Sequence, residues 1–507
     1  MVNATLQSWS NETTLHGVKD FADANKYWKV VLGVILIVGL VTSLLQSSFV
    51  INEFTSEPHF VAQVGFDNDH GAPFPHVVVC NMNAVNRTKA LAHGMSDDLI
   101  TAVMLMFSTT YNTKRYPAQR MPKVVDHIQR AHDAWASFYA NNNSFDLPND
   151  PGKLIKIVGH NCEETFSECA IKGEARWFNC CANAERILHK EYGMCWALHV
   201  PDHHDEYETY KQFQPGTFYG LVLKLNARVQ HNNKQIAVGN LLHDGLVIVP
   251  TFYKHAANHE HAFTLKPGHD MELDLSVTIT RTPQHSQFYP FTPNCLQDAR
   301  LLTYKGKYNI GSCVDECFKN TWDDDHGVKR HCELLDADLI EDVKFCNLTD
   351  TLDYLRYSFA NVLQEQSFKS KIDALVRRCK DFCKPPCDED VLKLNVAVQS
   401  QPSMQADREP IVKDFLKTRV ASKNADAEFM LDELNNNLAT VNIYYGSTTV
   451  QIIEYGEKIS IVALLSTIGG IFSLYLGASL LTFVQLVYFM FNGYAKECAA
   501  KLRDEKD

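Results

Sequence analysis

The sequence predicts a membrane protein of the α+β class, in which two transmembrane helices flank one large extracellular domain. Three observations lead to this prediction. The chain holds only two long apolar segments, 28–49 and 459–491, and 14 of its 15 cysteines lie between them. The same region carries alternating, strand-like runs together with more helix-like stretches. We therefore expect a disulfide-rich domain built on antiparallel β-sheet with peripheral helices.

The first apolar segment predicts a transmembrane helix over 28–50. It is about 22 residues long, which is enough to cross the hydrocarbon core of a bilayer. A cleaved signal peptide is the alternative interpretation. It fits poorly, because 27 mostly polar residues come first and the apolar run is longer than the core of a typical signal peptide.

Charges beside the two segments predict the topology. Lys29 opens the first segment and Lys496 follows the second, whereas Glu53 and Glu457 lie on the opposite sides. Positive flanks at both chain ends place both termini in the cytoplasm of a multi-pass plasma-membrane protein. The expected parts are a cytoplasmic N-terminus at 1–27, a helix at 28–50, an extracellular domain at 51–458, a second helix with the pore at 459–491 and a cytoplasmic C-terminus at 492–507.

The composition of the 51–458 region agrees with an extracellular location. Its 14 cysteines are an even number, as a disulfide framework requires, and Cys498 is left on the cytoplasmic side. Sequons at Asn86, Asn142 and Asn347 are candidate glycosylation sites. The net charge of −12 argues against nucleic acid as a partner and suits a surface that gathers cations.

Within this region the pattern changes along the chain. Residues 60–80 alternate and end as a buried strand, while 85–140 are more helix-like. Several strand-like runs fill 217–281, and the cysteines crowd around helix-like sequence in 295–387. Strands return before the second apolar segment. We therefore expect the sheet to begin and end close to the two membrane helices.

The second apolar segment contains a stripe of very small residues. Ser466, Gly470, Ser473 and Gly477 have offsets of 0, 4, 7 and 11, so they share one face of a helix. Such a stripe is commonly a seam where helices pack closely in a bilayer. The run Gly-Ala-Ser at 477–479 predicts a break, and bare backbone at membrane depth survives only where it is buried or lines a wet cavity. The segment is therefore a candidate ion pore.

Several strings, taken in order, resemble the degenerin/epithelial sodium channel/acid-sensing ion channel family over nearly the whole chain, and we expect an invertebrate member. They are His16-Gly17, FPHVVVCN ending at Cys80, EYGMCW ending at Cys195, the cysteine-rich 295–387 region closing on CKPPC, and IGGIFSLYLGASLLT. The resemblance implies a homo- or heterotrimeric, sodium-preferring and usually amiloride-blocked channel with two membrane helices per subunit. The implied partners are sodium and other small cations, membrane lipid and two further subunits; no cofactor is expected.

The resemblance also implies roles for individual residues. His16 and Gly17 match a cytoplasmic gating motif. The selectivity filter is implied at Gly477, Ala478 and Ser479. The implied gate and pore-lining residues are Ser466, Thr467, Gly470, Ser473 and Leu474.

Two positions depart from the family pattern. Thr467 stands where an aspartate is common, and Gln485 stands where an acidic residue usually lies lower in the helix. The segment 459–491 consequently holds no carboxylate. Rings of carboxylates concentrate cations and help to choose among them. The segment therefore predicts a cation pore more firmly than a sodium-selective one.

The resemblance implies a disulfide pattern that the spacing alone cannot fix. The order among Cys162, Cys169, Cys180 and Cys181 stays open. A zinc site at the paired Cys-x3-Cys motifs is disfavoured in an oxidising compartment, and no metal is expected. The implied pairs are Cys80–Cys195, Cys295–Cys387, Cys313–Cys383, Cys317–Cys379 and Cys332–Cys346, with Cys162 and Cys169 joined to Cys180 and Cys181.

The opening stimulus is the least determined feature. Histidines and carboxylates cluster at 203–206, 255–261 and 323–326, and such groups titrate near physiological pH when crowded. We favour protons, with a neuropeptide, mechanical force or constitutive opening as alternatives. An enzyme is excluded because no nucleophile motif, zinc-protease motif or phosphate loop is present. A non-conducting receptor or adhesion ectodomain is the rival of another class.

Overall fold

The computed structural model describes most of the chain in two compact units. The helical unit comprises Met1–Ala62, Thr282–Pro293 and Glu454–Asp507, and the β-sheet unit comprises Gln63–Arg281 and Asn294–Ile453. Apart from isolated gaps, the described residues are 13–56, 59–66, 71–107, 147–189, 192–202, 208–229, 244–252, 262–281, 295–296, 308–326, 368–400, 436–457 and 459–491, with parts of 126–138 and 346–353.

The first apolar segment forms the longest described helix. Among the described residues, Lys26–Ser56 is the one helix long and apolar enough to cross a membrane, and it extends beyond the predicted 28–50 at both ends. The helices are α1 (Val18–Asp23), α2 (Lys26–Ser56), α3 (Arg87–Ala92), α4 (Asp97–Phe107), α5 (Pro151–Val158), α6 (Cys162–Thr165), α7 (Ile310–His326), α8 (Phe368–Phe382) and α9 (Ile461–Leu476).

Three sheets account for the strands. An eight-stranded sheet has the order β1-β15-β12-β14-β9-β4-β5, with β13 also paired to β12; a five-stranded sheet has the order β11-β10-β3-β7-β6; and β2 pairs with β8. The strands are β1 (His59–Phe66), β2 (Ala72–Pro73), β3 (His76–Asn81), β4 (Phe166–Ile171), β5 (Arg176–Phe178), β6 (Ala184–His189), β7 (Gly193–Leu198), β8 (Lys211–Gln212), β9 (Leu221–Asn226), β10 (Leu246–Thr251), β11 (Phe263–Leu265), β12 (His269–Arg281), β13 (Asp388–Ser400), β14 (Leu438–Tyr445) and β15 (Val450–Glu457).

The strand pairs whose register is described are antiparallel, as expected, with one exception. Strands β12 and β14 run parallel, with Leu273 opposite Ile443. Antiparallel neighbours can be joined by a tight hairpin, whereas parallel neighbours need a long connection. The chain supplies one here, because β13 and a long stretch of sequence separate β12 from β14. The prediction missed this pair because local alternation carries no information about strand direction.

The main core lies on one face of the large sheet. Buried and partly exposed residues alternate along β12 and β14, as expected for strands that cover a core on one side. Leu273 and Leu275 of β12 pack in one cluster with Val441 and Ile443 of β14. The binary pattern of the sequence is therefore sufficient to say which side chains of these strands are inside.

A buried glutamine extends the hydrogen bonding of β14. Gln212 is fully buried; its Nε2 donates to Tyr445 O at 3.1 Å and its Oε1 accepts from Tyr445 N at 3.0 Å. The side-chain amide thus acts as a further strand would. The Tyr445 hydroxyl donates to Pro73 O at 2.7 Å. Desolvation raises the pKa of Tyr445 well above its usual value, so the hydroxyl stays a donor.

Six disulfides stabilise the β-sheet unit within the described residues. Four of them are pairs that the resemblance implies: Cys80–Cys195, Cys295–Cys387, Cys313–Cys383 and Cys317–Cys379. The order left open by the sequence is Cys162–Cys181 and Cys169–Cys180. Cys346 is disulfide-bonded, but its expected partner Cys332 lies outside the described residues.

The three sequons differ in their surroundings. Asn86 is 2% exposed, and its Oδ1 caps α3 by accepting from Lys89 N at 3.2 Å. A glycan needs an exposed amide, so this burial argues against glycosylation at Asn86. Asn347 is half-buried and accepts from Asp350 N at 2.8 Å. Asn142 lies outside the described residues.

Several other expectations fall outside the described part of the chain. They concern His16, Cys498 and the clusters at 203–206 and 255–261. The cluster at 323–326 ends helix α7, where only the backbone is described. The proton-sensing hypothesis for these clusters therefore stays a prediction.

The pairing of the four clustered cysteines can be tested by single substitutions. Cys181→Ala should leave Cys162 open to alkylation, and Cys180→Ala should leave Cys169 open, because each loses its bonded partner. Digestion after glutamate separates Cys162 from Cys169, so mass spectrometry identifies the modified residue. Loss of either bond should cost about 2–4 kcal/mol of unfolding free energy. Alkylation of Cys169 in the Cys181→Ala variant would contradict the pairing.

Candidate pore segment

Helix α9 occupies the first half of the second apolar segment. It begins at a capped end, where Ser460 Oγ accepts from Ala463 N at 3.1 Å, and it ends at Leu476. Gly477 then adopts the left-handed conformation, with φ of 64° and ψ of 19°. Helical turns resume at 481. The segment is therefore two helical pieces separated by the residues predicted to form a break.

Hydrogen bonds show how the helix is interrupted. Gly477 N donates to Ser473 O at 2.8 Å, but Ala478 N donates to Phe472 O at 3.3 Å instead of Leu474 O. Ser479 N donates to Thr482 Oγ1 at 3.0 Å. A continuing helix would have paired these last two N–H groups with the carbonyls of Leu474 and Tyr475. The break therefore removes from both carbonyls their normal intrahelical donors.

Ser479 and Thr482 start the second helical piece. Thr482 N donates to Ser479 O at 3.0 Å, and the two hydroxyl oxygens lie 3.2 Å apart. Thr482 and Ala478 are both buried, at 4% and 7% exposure. The serine of the Gly-Ala-Ser run consequently has a structural role at the break, as the residue that receives the N–H of the next turn.

The predicted gate and pore-lining residues lie on an open face of α9. Leu474 is 79% exposed, and Ser466, Thr467, Gly470 and Ser473 are exposed as well. A methyl group added at Gly470 would meet no described atom within 4 Å. The small-residue stripe of α9 is thus not a packing seam among the residues that the structure describes.

A second set of small residues packs α2 against α9. A Cβ at Gly39 would lie 3.2 Å from Tyr475 O and 3.4 Å from Leu476 Cδ2. Ser43, one turn further on, is fully buried, and its Oγ donates to Gly39 O at 2.8 Å. Ser47, another turn on, is 6% exposed. The sequence shows these residues at i, i+4 and i+8, a signal of helix packing that our prediction overlooked.

A polar contact accompanies this packing. Gln46 Nε2 donates to Tyr475 Oη at 3.0 Å. Gln46 is the one glutamine in the first apolar segment, and a lone amide in such a run is a recognisable sign of a cross-helix hydrogen bond. Tyr475 therefore contacts α2 twice, through its carbonyl and through its hydroxyl.

Gly17 of the expected gating motif lies beside α2. Gly17 is left-handed, with φ of 79°, and begins α1. A Cβ on Gly17 would lie 3.5 Å from Leu36 Cδ2, and one on Gly33 would lie 3.2 Å from Phe21 of α1. Helix α1 thus folds back along α2. Gly17 consequently lies level with Leu36, in the interior of the apolar helix.

An apolar helix of spanning length, a broken apolar helix packed against it and a disulfide-bonded β-sheet unit are the features expected of a membrane protein. The family model described as "Amiloride-sensitive sodium channel" matches residues 9–489. The chain belongs to this family of amiloride-sensitive sodium channels.

Relatives span most of the chain at low identity. The epithelial sodium channel subunit alpha of Cavia porcellus is 22% identical over 96% of this chain and 76% of its own length. The bile acid-sensitive ion channel of Mus musculus is 21% identical over 96% of this chain and 88% of its own. These relatives are mammalian, so the expected invertebrate source stays a prediction.

One of several matching solved structures is that of another channel. It is a cryo-EM structure of a proton-activated chloride channel, which covers 91% of this chain and 98% of its own with 7% identity and a TM-score of 0.30. A score that low supports no conclusion about fold or function.

The left-handed conformation of Gly477 makes it sensitive to any side chain. Gly477→Ala should cost about 1–2 kcal/mol, because a Cβ is disfavoured in this region, and Gly477→Asn should cost less. Gly470→Ala is the matched control, since it is helical and meets open space. Thermal unfolding of the purified protein should rank wild type and Gly470→Ala above Gly477→Asn, and Gly477→Ala lowest. Equal stability of the two alanine variants would contradict the assigned backbone.

Proposed function

We propose that this chain is a subunit of a trimeric, sodium-permeable cation channel of the plasma membrane, blocked by amiloride and opened by an extracellular stimulus. The observation that carries the proposal is the break at Gly477 in an otherwise apolar helical segment. Family membership supports it, as do relatives whose names are epithelial sodium channel subunits and bile acid-sensitive ion channels.

The proposed second span includes both helical pieces. Helix α9 has 16 residues, or about 24 Å, which is shorter than a hydrocarbon core of about 30 Å. The turns between 481 and 491 supply the missing length. With two spans, both termini face the cytoplasm and 51–458 lie outside, where an oxidising environment maintains disulfides.

The open face of α9 is the proposed pore wall. It presents Ser466, Thr467, Gly470, Ser473 and Leu474, and the glycine meets no described neighbour. Small residues on membrane helices allow close approach of other helices, so the partners proposed for this face are the same faces of two further subunits. Three such helices around an axis form a narrow pathway lined by hydroxyls and backbone.

The proposed filter is the run Gly477, Ala478 and Ser479. The backbone here is non-helical, and carbonyl oxygens in such a break can replace part of the water shell of a cation. Tyr475 O is not available for this purpose, because it lies against Gly39 of α2. The ion-binding oxygens of the proposal therefore come from the break itself.

Cation selectivity in this proposal rests on dipoles and not on charge. The second segment has Thr467 and Gln485 at positions where carboxylates would strengthen the selectivity for cations. Carbonyl and hydroxyl oxygens attract small cations, but without a carboxylate ring they discriminate less between them. We therefore propose permeability to sodium together with other small cations.

Gating is proposed to involve the His16-Gly17 motif. Gly17 lies beside Leu36, and Gly39 lies beside Tyr475; the two α2 positions are about 4.5 Å apart along the helix axis. The motif is therefore close to the level of the break. We favour extracellular protons as the stimulus, because histidines and carboxylates cluster at 203–206, 255–261 and 323–326.

Recording from oocytes tests this function directly. Expressed alone, the chain should give an inward cation current when extracellular pH is stepped from 8 to 4, and amiloride should block it. A peptide library, membrane stretch and a resting recording test the alternative stimuli. A variant with a bulky residue at Ser466, which should hold the proposed gate open, is recorded as well. Surface biotinylation confirms that the protein reaches the membrane.

The outcomes separate the rival classes. Replacing sodium by potassium or calcium should reduce the current without abolishing it. A surface-expressed chain that gives no current under acid, peptide or stretch, and none with the Ser466 variant, would reject a homomeric channel. It would favour a non-conducting receptor or adhesion protein, unless co-expression with a second subunit restored current.

Gln485 offers a test of the missing carboxylate. Gln485→Glu should raise the ratio of sodium to potassium permeability by roughly three-fold or more, because a ring of carboxylates strengthens the field that acts on small cations. Gln485→Asn is the control, since it keeps the amide and the zero charge. The ratio is measured from reversal potentials. Equal ratios in all three proteins would show that position 485 does not contribute to selectivity.

A further inference from the structure

We infer that Gly39 and Gln46 of α2 are positioning residues, which fix the place where α9 stops and thereby set the ion selectivity of the pore. The inference rests on the proposed channel function. Neither residue belongs to the motifs from which the pore was predicted. Both contact Tyr475, which lies two residues before the left-handed Gly477.

The first contact concerns the backbone. At the break, Tyr475 O loses its normal helical donor, the N–H of Ser479. That N–H donates to Thr482 Oγ1 instead. An orphaned carbonyl at the end of a helix in an apolar setting is costly unless it is packed or bonded. Here it lies against Gly39, at 3.2 Å from the point where a Cβ would be. Glycine gives this carbonyl the most room, because a Cβ would require the backbone of Tyr475 to move by a few tenths of an ångström.

The second contact concerns the side chain. Gln46 Nε2 donates to Tyr475 Oη at 3.0 Å. In a bilayer neither group has water as an alternative partner, so the bond favours one placement of the tyrosine. Gly39 and Gln46 are two turns apart on α2. The carbonyl and the hydroxyl of one residue are thus held at two separate points.

Holding Tyr475 in this way limits what the following residues can do. If α9 continued as a helix past Leu476, the Ser479 N–H would donate to Tyr475 O and the break would be lost. A helix that slid along α2 would separate Tyr475 from Gln46 and carry Gly477, Ala478 and Ser479 with it. The depth and geometry of the filter oxygens therefore depend on α2, although no residue of α2 is proposed to touch the ion.

The test uses the full-length chain in oocytes, with the sodium-to-potassium permeability ratio as the readout. Gln46→Leu and Tyr475→Phe each remove the hydrogen bond, and each should shift the ratio by about three-fold or more. The double variant should shift it no further, because one bond has been lost. Gly39→Ala should also shift the ratio. Gly33→Ala is the matched control, since its new methyl group would meet only the Phe21 side chain.

Thermal unfolding of the purified proteins gives a second readout that needs no current. The losses of stability in Gln46→Leu and Tyr475→Phe should be non-additive in the double variant. Currents with wild-type permeability ratios in the surface-expressed variants would overturn the inference and leave the channel standing. If no protein conducts, the proposed function fails, and additive stability losses would then overturn the positioning contact as well. The conservative Tyr475→Phe keeps the test informative if Gly39→Ala does not fold.

Discussion

The need to accommodate backbone carbonyls at the end of an apolar helix governs the candidate pore. In hydrocarbon an unpaired carbonyl costs several kcal/mol, so a helix in the proposed second span cannot stop at Leu476 unless its last carbonyls are packed or wetted. The Tyr475 carbonyl is packed against Gly39 of α2. The N–H groups beyond the break bond to Phe472 O and Thr482 Oγ1. These contacts make the interruption a defined structure and not a frayed helix end.

Small residues form two sets, one on α2 and one on α9, and the two sets have different surroundings. Gly39, Ser43 and Ser47 lie on one side of α2, and Gly39 admits the backbone of α9. The stripe on α9 that includes Ser466 and Gly470 stays open as far as the structure describes the chain. In the proposed assembly, the open small-residue face of this apolar helix packs against the other subunits. This arrangement reconciles the two interpretations of the stripe, because a seam between subunits is also the wall of whatever pathway they enclose.

Sequence patterns predicted the features that depend on local order. The two apolar segments, the break at Gly477 and the buried alternation of β12 and β14 all follow from spacing along the chain. The resemblance implied four disulfides between distant cysteines, but other features that depend on distant contacts were missed. The parallel pairing of Leu273 with Ile443 joins strands far apart in sequence. The sequon at Asn86 gives no sign that its side chain caps a helix and is buried. The bond from Gln46 to Tyr475 was also missed, although a lone amide in an apolar run was visible.

Because the segment 459–491 holds no carboxylate, other groups must select the ion in the proposed pore. With an acidic ring, charge concentrates cations, and small errors in oxygen placement matter less. In the proposed pore, with Thr467 and Gln485 in those positions, the field of the second segment comes from dipoles, whose strength falls steeply with distance and depends on orientation. A pore of this kind relies more heavily on the placement of its backbone. The two-point contact between α2 and Tyr475 supplies such placement. The lack of carboxylates in the second segment is therefore consistent with a filter backbone whose position is tightly constrained.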